Sequence, residues 1–325
     1  MDDTSNSIDR LIDPTIQESA MPVYVQNPDP RSLVERPADD LLAPDTRMGA
    51  VELLVRDLDA MIGFYSEGVT LEVLEHSGET AVLGRAGLPL VRMRRMPDLP
   101  PRKSGEAGLF HTAVLFDDEA SLAAAVASVA RNAPRSFTGS SDHLYSQAFY
   151  FDDPEGNGVE LYADRPRETW ATESHGLLKV ATNPLDPTAF LRTHLPETSA
   201  SPPGATLGHV HLQVGDIGVA RDFYVDALGF EVMSDVGSAL FIAAGGYHHH
   251  IAVNTWGTAG AGPRAAALGL GQVNIDLPTA DDVDALQQRL TDHGFRARHD
   301  GAVLRVDDPW GTLIQVGAAG AVAES

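Results

Sequence analysis

The sequence contains no cysteine. That excludes disulfides and thiolate metal sites, so any metal must be held by histidine and carboxylate. Basic residues are scarce: 23 Lys and Arg stand against 46 Asp and Glu, a formal charge of −23. So acidic a chain argues against nucleic acid or an anionic membrane surface as partner. Also missing is any apolar run approaching the roughly 20 residues of a membrane span, and the first residues lack a basic-then-apolar signal pattern. The expectation is a soluble, cytoplasmic protein. What is present is ordinary for a globular chain, 43% hydrophobic and 21% charged over 325 residues, enough for two domains with real cores.

Proline punctuates the chain twice. Pro14, Pro22, Pro28, Pro30, Pro37 and Pro44 are spaced through residues 1–46, which read as an extension, surface-packed or partly disordered. Pro184 to Gly204, with Pro187, Pro196, Pro202 and Pro203, reads as a linker. The expected organisation is an extension over 1–46, a first domain over 47–183, a linker over 184–206 and a second domain over 207–320.

The two halves repeat each other. VELLVRDLDAMIGFYSEGVTLEVL from Val51 aligns with VHLQVGDIGVARDFYVDALGFEVM from Val210. Val55, Asp57, Phe64, Tyr65, Glu72 and Val73 match Val214, Asp216, Phe223, Tyr224, Glu231 and Val232, all at one offset. Each stretch reads as a strand, an Asp able to cap a helix, an amphipathic helix and a second strand. FDDPEGNGVELYA from Phe151 likewise resembles VDDPWGTLIQVGA from Val306, and HTAVLFDD from His111 resembles QVNIDLPT from Gln272. The chain is therefore four units, near 48–100, 107–165, 207–256 and 269–318, each approximately βαβββ. Such units suit mixed sheets curled around a cavity with helices outside, an α+β fold.

Ser141 to Pro166 is the densest stretch. It reads as strand (Ala148 to Asp152), turn (Asp153 to Gly158) and strand (Val159 to Ala163). Glu160 lies between Val159 and Leu161, so it is either an exposed strand residue or a carboxylate aimed into a cavity.

Four βαβββ units with DHLYSQAFYFDDPEGNGVELYADRP, GHVHLQV and AGGYHHHIAVNTW resemble the vicinal oxygen chelate superfamily, and within it the two-domain catechol 2,3-dioxygenases of the extradiol class. The resemblance covers about residues 46 to 320. It implies metal ligands on the opening strands of two paired modules and the closing strand of one. Carried over residue by residue, the opening positions are Ala50, His111, His209 and Gln272, and the readable closing positions are Glu160 and Gln315. Only His111, His209 and Glu160 are good ligands, and together they match the two-His, one-carboxylate triad of non-haem Fe(II) oxygenases; the same set accepts Mn(II). Many relatives draw all three ligands from the last two modules. Here they come from modules two and three, which implies that module two pairs with three and module one with four.

The resemblance further implies an acid–base role for His249 beside bound oxygen, with Tyr150 and His143 near the substrate hydroxyls. Residues 247–253 read as a strand, on which His249 and the pair His248 and His250 would face opposite ways. His248, Asn254 and Trp256 are expected at the substrate, with His211 as a supporting group. The implied activity is extradiol cleavage of a catechol by O2, in a homo-oligomer whose partners are a small aromatic diol and O2. Two rivals share the fold: a glyoxalase-like isomerase with a fourth protein ligand, and a non-catalytic protein that sequesters small molecules.

Overall fold

The computed structural model describes residues 28–196 and 204–319. Module one comprises β1 (Arg47–Met48), β2 (Val51–Val55), α1 (Leu58–Gly63, continued by a wide turn over Phe64–Gly68), β3 (Glu72–Ser77), β4 (Thr80–Arg85) and β5 (Leu88–Arg95). Module two runs through β6 (Gly108–Phe116), α2 (Glu119–Asn132), β7 (Phe137–Asp142), β8 (Ser146–Asp152) and β9 (Gly158–Asp164). A short β10 (Asn183–Pro184) and α3 (Pro187–His194) precede module three: β11 (Ala205–Gln213), α4 (Ile217–Arg221, continued over Asp222–Ala227), β12 (Glu231–Asp235), β13 (Ala239–Ala243) and β14 (Ile251–Asn254). Module four is β15 (Gly269–Leu277), α5 (Ala280–Asp292), β16 (Arg298–His299), β17 (Val303–Asp307) and β18 (Leu313–Ala318).

The repeated sequence builds repeated local structure. Asp57 and Asp216 cap their helices as expected, accepting the backbone N–H of Ala60 at 3.1 Å and of Val219 at 2.9 Å. Each of the matched tyrosines then reaches the next module. The Tyr224 hydroxyl donates to Asp308 Oδ2 at 2.8 Å, and Tyr65 lies 3.4 Å from Asp153 Oδ2. Those two aspartates also organise the turn of their own hairpin: Asp153 Oδ1 accepts from the N–H of Glu155 and Asn157, and Asp308 Oδ1 from that of Trp310 and Thr312. The Asp-Asp-Pro motif is thus a clamp between consecutive modules as well as a turn.

Sheet pairing follows a different rule from sequence order. Among the described residues there are two nine-stranded mixed sheets. One runs β10-β7-β8-β9-β6-β11-β14-β13-β12; the other runs β16-β17-β18-β15-β2-β5-β4-β3, with β1 on β15. Modules two and three share the first sheet through the antiparallel pair β6–β11, and modules one and four share the second through β2–β15. Inner pairs with inner and outer with outer, as the placement of the three ligand-type residues implied.

Two stretches are described only in part. Of the expected extension, residues 1–27 lie outside the described residues, and residues 28–46 pack on module three. There Ser32 Oγ donates to Asp235 Oδ2 at 2.6 Å, the buried Arg221 donates to the same oxygen at 2.7 Å, and Arg36 donates to Val225 and Phe230 carbonyls. Of the expected linker, residues 197–203 lie outside the described residues, but α3 falls inside it. Asp186 caps that helix, Pro187 occupies its first turn, and Phe190 and Leu191 are buried.

Candidate metal centre and its cavity

The central strands of the β6–β11 sheet put three ligand-type side chains on one face. β6 and β9 run parallel with Ala113 opposite Glu160, and β6 and β11 run antiparallel with Ala113 opposite His209. Glu160, Ala113 and His209 therefore form a row across three strands, and His111 stands two residues along from Ala113 on the same face. The methyl of Ala113 leaves the middle of that row open. Glu160 Oε2 is 3.0 Å from His111 Nε2 and 3.3 Å from His209 Nε2, and the two imidazole nitrogens are 3.3 Å apart. All three side chains are buried.

This trio fits a divalent metal. Ligands about 2.1 Å from such an ion stand roughly 3.0–3.4 Å apart on adjacent positions, the spacing found here. Protonation agrees as well. Burial alone would raise the Glu160 carboxyl, but its two imidazole partners hold it well below the usual carboxylate range. Burial pushes the His209 imidazole down to about 4, so the resting trio is a carboxylate beside a neutral imidazole. His209 Nδ1 is buried without a hydrogen-bond partner among the described residues, so Nε2 is the working end of that ring. The backbone bulge before His209 explains the glycine that precedes it: a Cβ at Gly208 would lie 1.8 Å from the Tyr162 hydroxyl.

A cavity of about 280 Å³ opens above the trio, with His111 and Glu160 in its floor and Phe110, Tyr145, Phe241 and Trp256 among its walls. Tyr150 lies directly opposite Glu160 in the β8–β9 pair, which accounts for the ten-residue interval between them: opposed residues of an antiparallel pair share a face. His143 sits in the β7–β8 turn, where Leu144 takes φ +75°. Its Nδ1 lies 2.7 Å from the Ala181 carbonyl oxygen and its Nε2 lies 2.6 Å from the Tyr150 hydroxyl. A carbonyl only accepts, so Nδ1 carries the proton in the neutral ring, and Nε2 accepts from Tyr150. Burial lowers the His143 pKa, which favours that neutral form.

The His248–His250 segment corrects the strand reading. β14 starts at Ile251; before it, Gly245 and Gly246 take φ +61° and +68° and the chain turns. Strand alternation does not apply there, and neighbouring His248 and His249 touch, with their Nδ1 atoms 2.7 Å apart. His248 Nε2 is 2.8 Å from Asp164 Oδ1. In neutral rings, His248 Nε2–H donates to Asp164, His248 Nδ1 accepts from His249 Nδ1–H, and His249 Nε2 is left as an acceptor. Burial and the surrounding imidazoles push the His249 pKa well down, in keeping with a neutral ring. His249 lines the cavity and lies against His209, with ring centroids 4.0 Å apart.

The remaining expected residues divide. Trp256 is a cavity wall. His248 and Asn254 are both buried and stand one layer behind that wall. His248 orients His249, and Asn254 Nδ2 donates to His211 Nε2 at 2.9 Å, steadying a second wall imidazole. His250 accepts the Ala244 backbone N–H at 3.2 Å, a structural bond. Tyr145 is the group that sequence reasoning passed over. It lies in the quoted DHLYS loop, stacks on His248 at 4.5 Å and lines the cavity. In the other sheet, Gln272 donates to Asn274 and Gln315 accepts from Arg305. No second cluster of three metal-binding side chains occurs among the described residues.

Comparison with known proteins gives a consistent result. The family model of the Glyoxalase/Bleomycin resistance protein/Dioxygenase superfamily matches residues 47–161 and 206–316. A catechol-2,3-dioxygenase of Bacillus subtilis (strain 168) is 35% identical over 272 residues, covering 82% of this chain and 94% of its own length. Among solved structures, glyoxalase I from Zea mays superposes with a TM-score of 0.55 at 17% identity, over 86% of this chain and 95% of its own. The cppA protein from Streptococcus pneumoniae TIGR4 superposes with a TM-score of 0.53 at 11% identity, over 84% and 97%. At such identities these two structures share the fold alone.

Proposed function

The chain belongs to the Glyoxalase/Bleomycin resistance protein/Dioxygenase superfamily, and on that premise we propose that it is an extradiol dioxygenase. The proposed reaction opens the ring of a catechol beside its diol, placing both atoms of O2 in a 2-hydroxymuconic semialdehyde. The observation that carries the reading is the division of polar groups around the cavity. His111, His209 and Glu160 converge on one point, while His249 and the Tyr150–His143 pair are held by other partners and remain outside the ligand set. A divalent iron held by the three would supply open positions for both catechol oxygens and for dioxygen.

The protein's own groups then have separable tasks. Phe110, Phe241 and Trp256 exclude water and hold an aromatic ring by its faces and edges. His249 Nε2, free to accept, takes a proton from the bound diol or from a reacting oxygen and returns it later. The Asp164–His248 chain keeps the His249 proton on Nδ1 and steadies the imidazolium that forms. Tyr150 donates to His143 at rest and can turn its O–H to a substrate oxygen, with His143 Nε2 as the alternative acceptor.

The relative named catechol-2,3-dioxygenase supports this reading, and so does a cavity whose volume suits one substituted benzene ring. The test is anaerobic loading with Fe(II), then oxygen uptake and the yellow ring-opened product on addition of catechol. Iron-loaded protein that consumes no oxygen with catechol or simple alkylcatechols overturns it.

A further inference from the structure

Beyond the catechol cavity lies a larger outer one of about 820 Å³, and the two share Phe110, Asp152, Gly158 and Trp256 in their walls. The Phe110 and Trp256 rings meet edge to face at 5.7 Å in that shared wall, the junction between the two cavities. On the outer side the wall carries three cations, Arg56, Arg102 and Lys103. In a chain of net charge −23, none of the three forms an ion pair among the described residues.

Arg102 is held in place with unusual care for a residue of its exposure. It lies over Gly108, the first residue of the strand that carries His111; a Cβ there would stand 3.0 Å from Arg102 Cδ. Its NH1 donates to the Glu106 carbonyl at 3.0 Å and to Gln213 Oε1 at 2.8 Å, and Gln213 Nε2 donates in turn to the Trp256 carbonyl. Both acceptors are neutral, and both are met by one nitrogen. The Nε–NH2 edge, the one that takes a carboxylate side-on, has no partner among the described residues. Partial burial and the nearby Arg264 both disfavour the charge on Arg102, and only Glu106 offsets them. Three carboxylates stand on the same wall, and none of them pairs with Arg102 among the described residues. Asp57 caps α1, and Glu155 Oε1 accepts the N–H of both Arg56 and Asp57 while its Oε2 is buried without a hydrogen-bond partner among the described residues. Asp152 sits at the junction, and burial raises its pKa.

We propose that the outer cavity is a substituent subsite and that Arg102 selects catechols bearing a carboxylate on a side chain long enough to pass the Phe110–Trp256 junction. The inference rests on the catechol reading of the inner cavity and adds to it a class of substrate and the residue that recognises it. Arg102 is a specificity residue, remote from the reacting atoms.

The test compares binding, separately from turnover. Dissociation constants are measured under nitrogen on Fe(II)-loaded protein for catechol, 3,4-dihydroxyphenylacetate, 3-(3,4-dihydroxyphenyl)propionate and the methyl esters of the two acids. At least one acid should bind about tenfold or more tighter than its ester, the worth of a charge-assisted pair. That ratio should shrink as salt is raised from 0.05 to 0.5 M. In R102Q it should collapse towards one, while R102K keeps part of it. Equal binding of acid and ester in wild type, or an unchanged ratio in R102Q, overturns the subsite while leaving the catechol reading intact. Failure of catechol and both esters to bind brings down the catechol reading, and this inference with it.

Discussion

Replacing Glu160 with Gln changes one atom and should cost the protein its metal. Glu160 Oε2 is the only anionic member of the trio, 3.0 and 3.3 Å from the two imidazole nitrogens. Gln keeps the volume and one acceptor oxygen but removes the charge that a divalent ion requires of this donor set. In metal-free protein the amide can still accept one imidazole N–H, so its stability should change by about 1–3 kcal/mol. The larger effect is on the response to metal. An ion at a hundredfold excess over its dissociation constant stabilises a folded protein by about 2.7 kcal/mol. For a domain pair of this size that is a rise of about 5 °C in melting temperature. Thermal melts with EDTA and with Mn(II), which resists air oxidation, should show the rise in wild type and not in E160Q. Gln315 occupies the equivalent strand position in the other sheet and bonds Arg305, so Q315A should keep the wild-type rise. A full metal response in E160Q would refute the ligand assignment, and its loss in Q315A would move the site to the other sheet.

Three further outcomes follow. H249A should retain its metal but lose about 10²–10⁴-fold in turnover, the usual worth of a general acid–base group, as read by metal analysis beside oxygen uptake; loss of the metal would make His249 a fourth ligand and favour an isomerase. Y150F keeps the ring and removes the hydroxyl that meets His143, so catechol turnover should fall on the order of tenfold with little change in melting temperature; an unaltered rate removes Tyr150 from the mechanism. Asp153 is buried and its carboxyl is pushed up to about 6, chiefly by burial. A carboxyl raised on folding contributes stability that is complete below its unfolded value and is lost as pH rises through its folded one. Relative to D153N, wild type should therefore lose about 3 kcal/mol between pH 4 and 6, measured by urea unfolding; a pH-independent difference contradicts that burial effect.

Much of this architecture is legible in the sequence because it is written twice. The offset matches at Asp57 and Asp216, and at Tyr65 and Tyr224, correspond to a helix cap and an inter-module hydrogen bond made in both halves. Glu160 and Tyr150 were legible through the family resemblance, and antiparallel pairing turns the ten residues between them into adjacency. The misread stretches have local causes. Asp186-Pro187 carries a helix start, an N-cap followed by proline, but the density of prolines around it reads as linker. Gly245-Gly246 sets a turn that makes His248 and His249 partners, where the apolar run after them suggested that the strand began earlier. Asp164 and His248 are 84 residues apart, and no pattern in the chain announces that contact.

The repeat also separates scaffold from chemistry, by a criterion that needs no second sequence. What both halves keep is structural: the capping aspartates, the Phe-Tyr turns, and the Asp-Asp-Pro hairpins with Asp153 and Asp308 tied to their tyrosines. What differs at equivalent places is the site. Glu160 stands where module four has Gln315, and His111 and His209 stand where the outer modules have Gln272 and Ala50. Each outer position is filled by a group that bonds or packs locally: Gln272 to Asn274, Gln315 to Arg305, Ala50 in the core. Among the described residues, one scaffold built four times thus gathers its three ligand-type residues on the adjacent strands β9, β6 and β11. The β6–β11 pair joins module two to module three, so the centre is complete only when those modules share a sheet. A mutation that weakens the β6–β11 pairing should therefore abolish metal binding before it unfolds either half, whereas one at β2–β15 should act on stability alone.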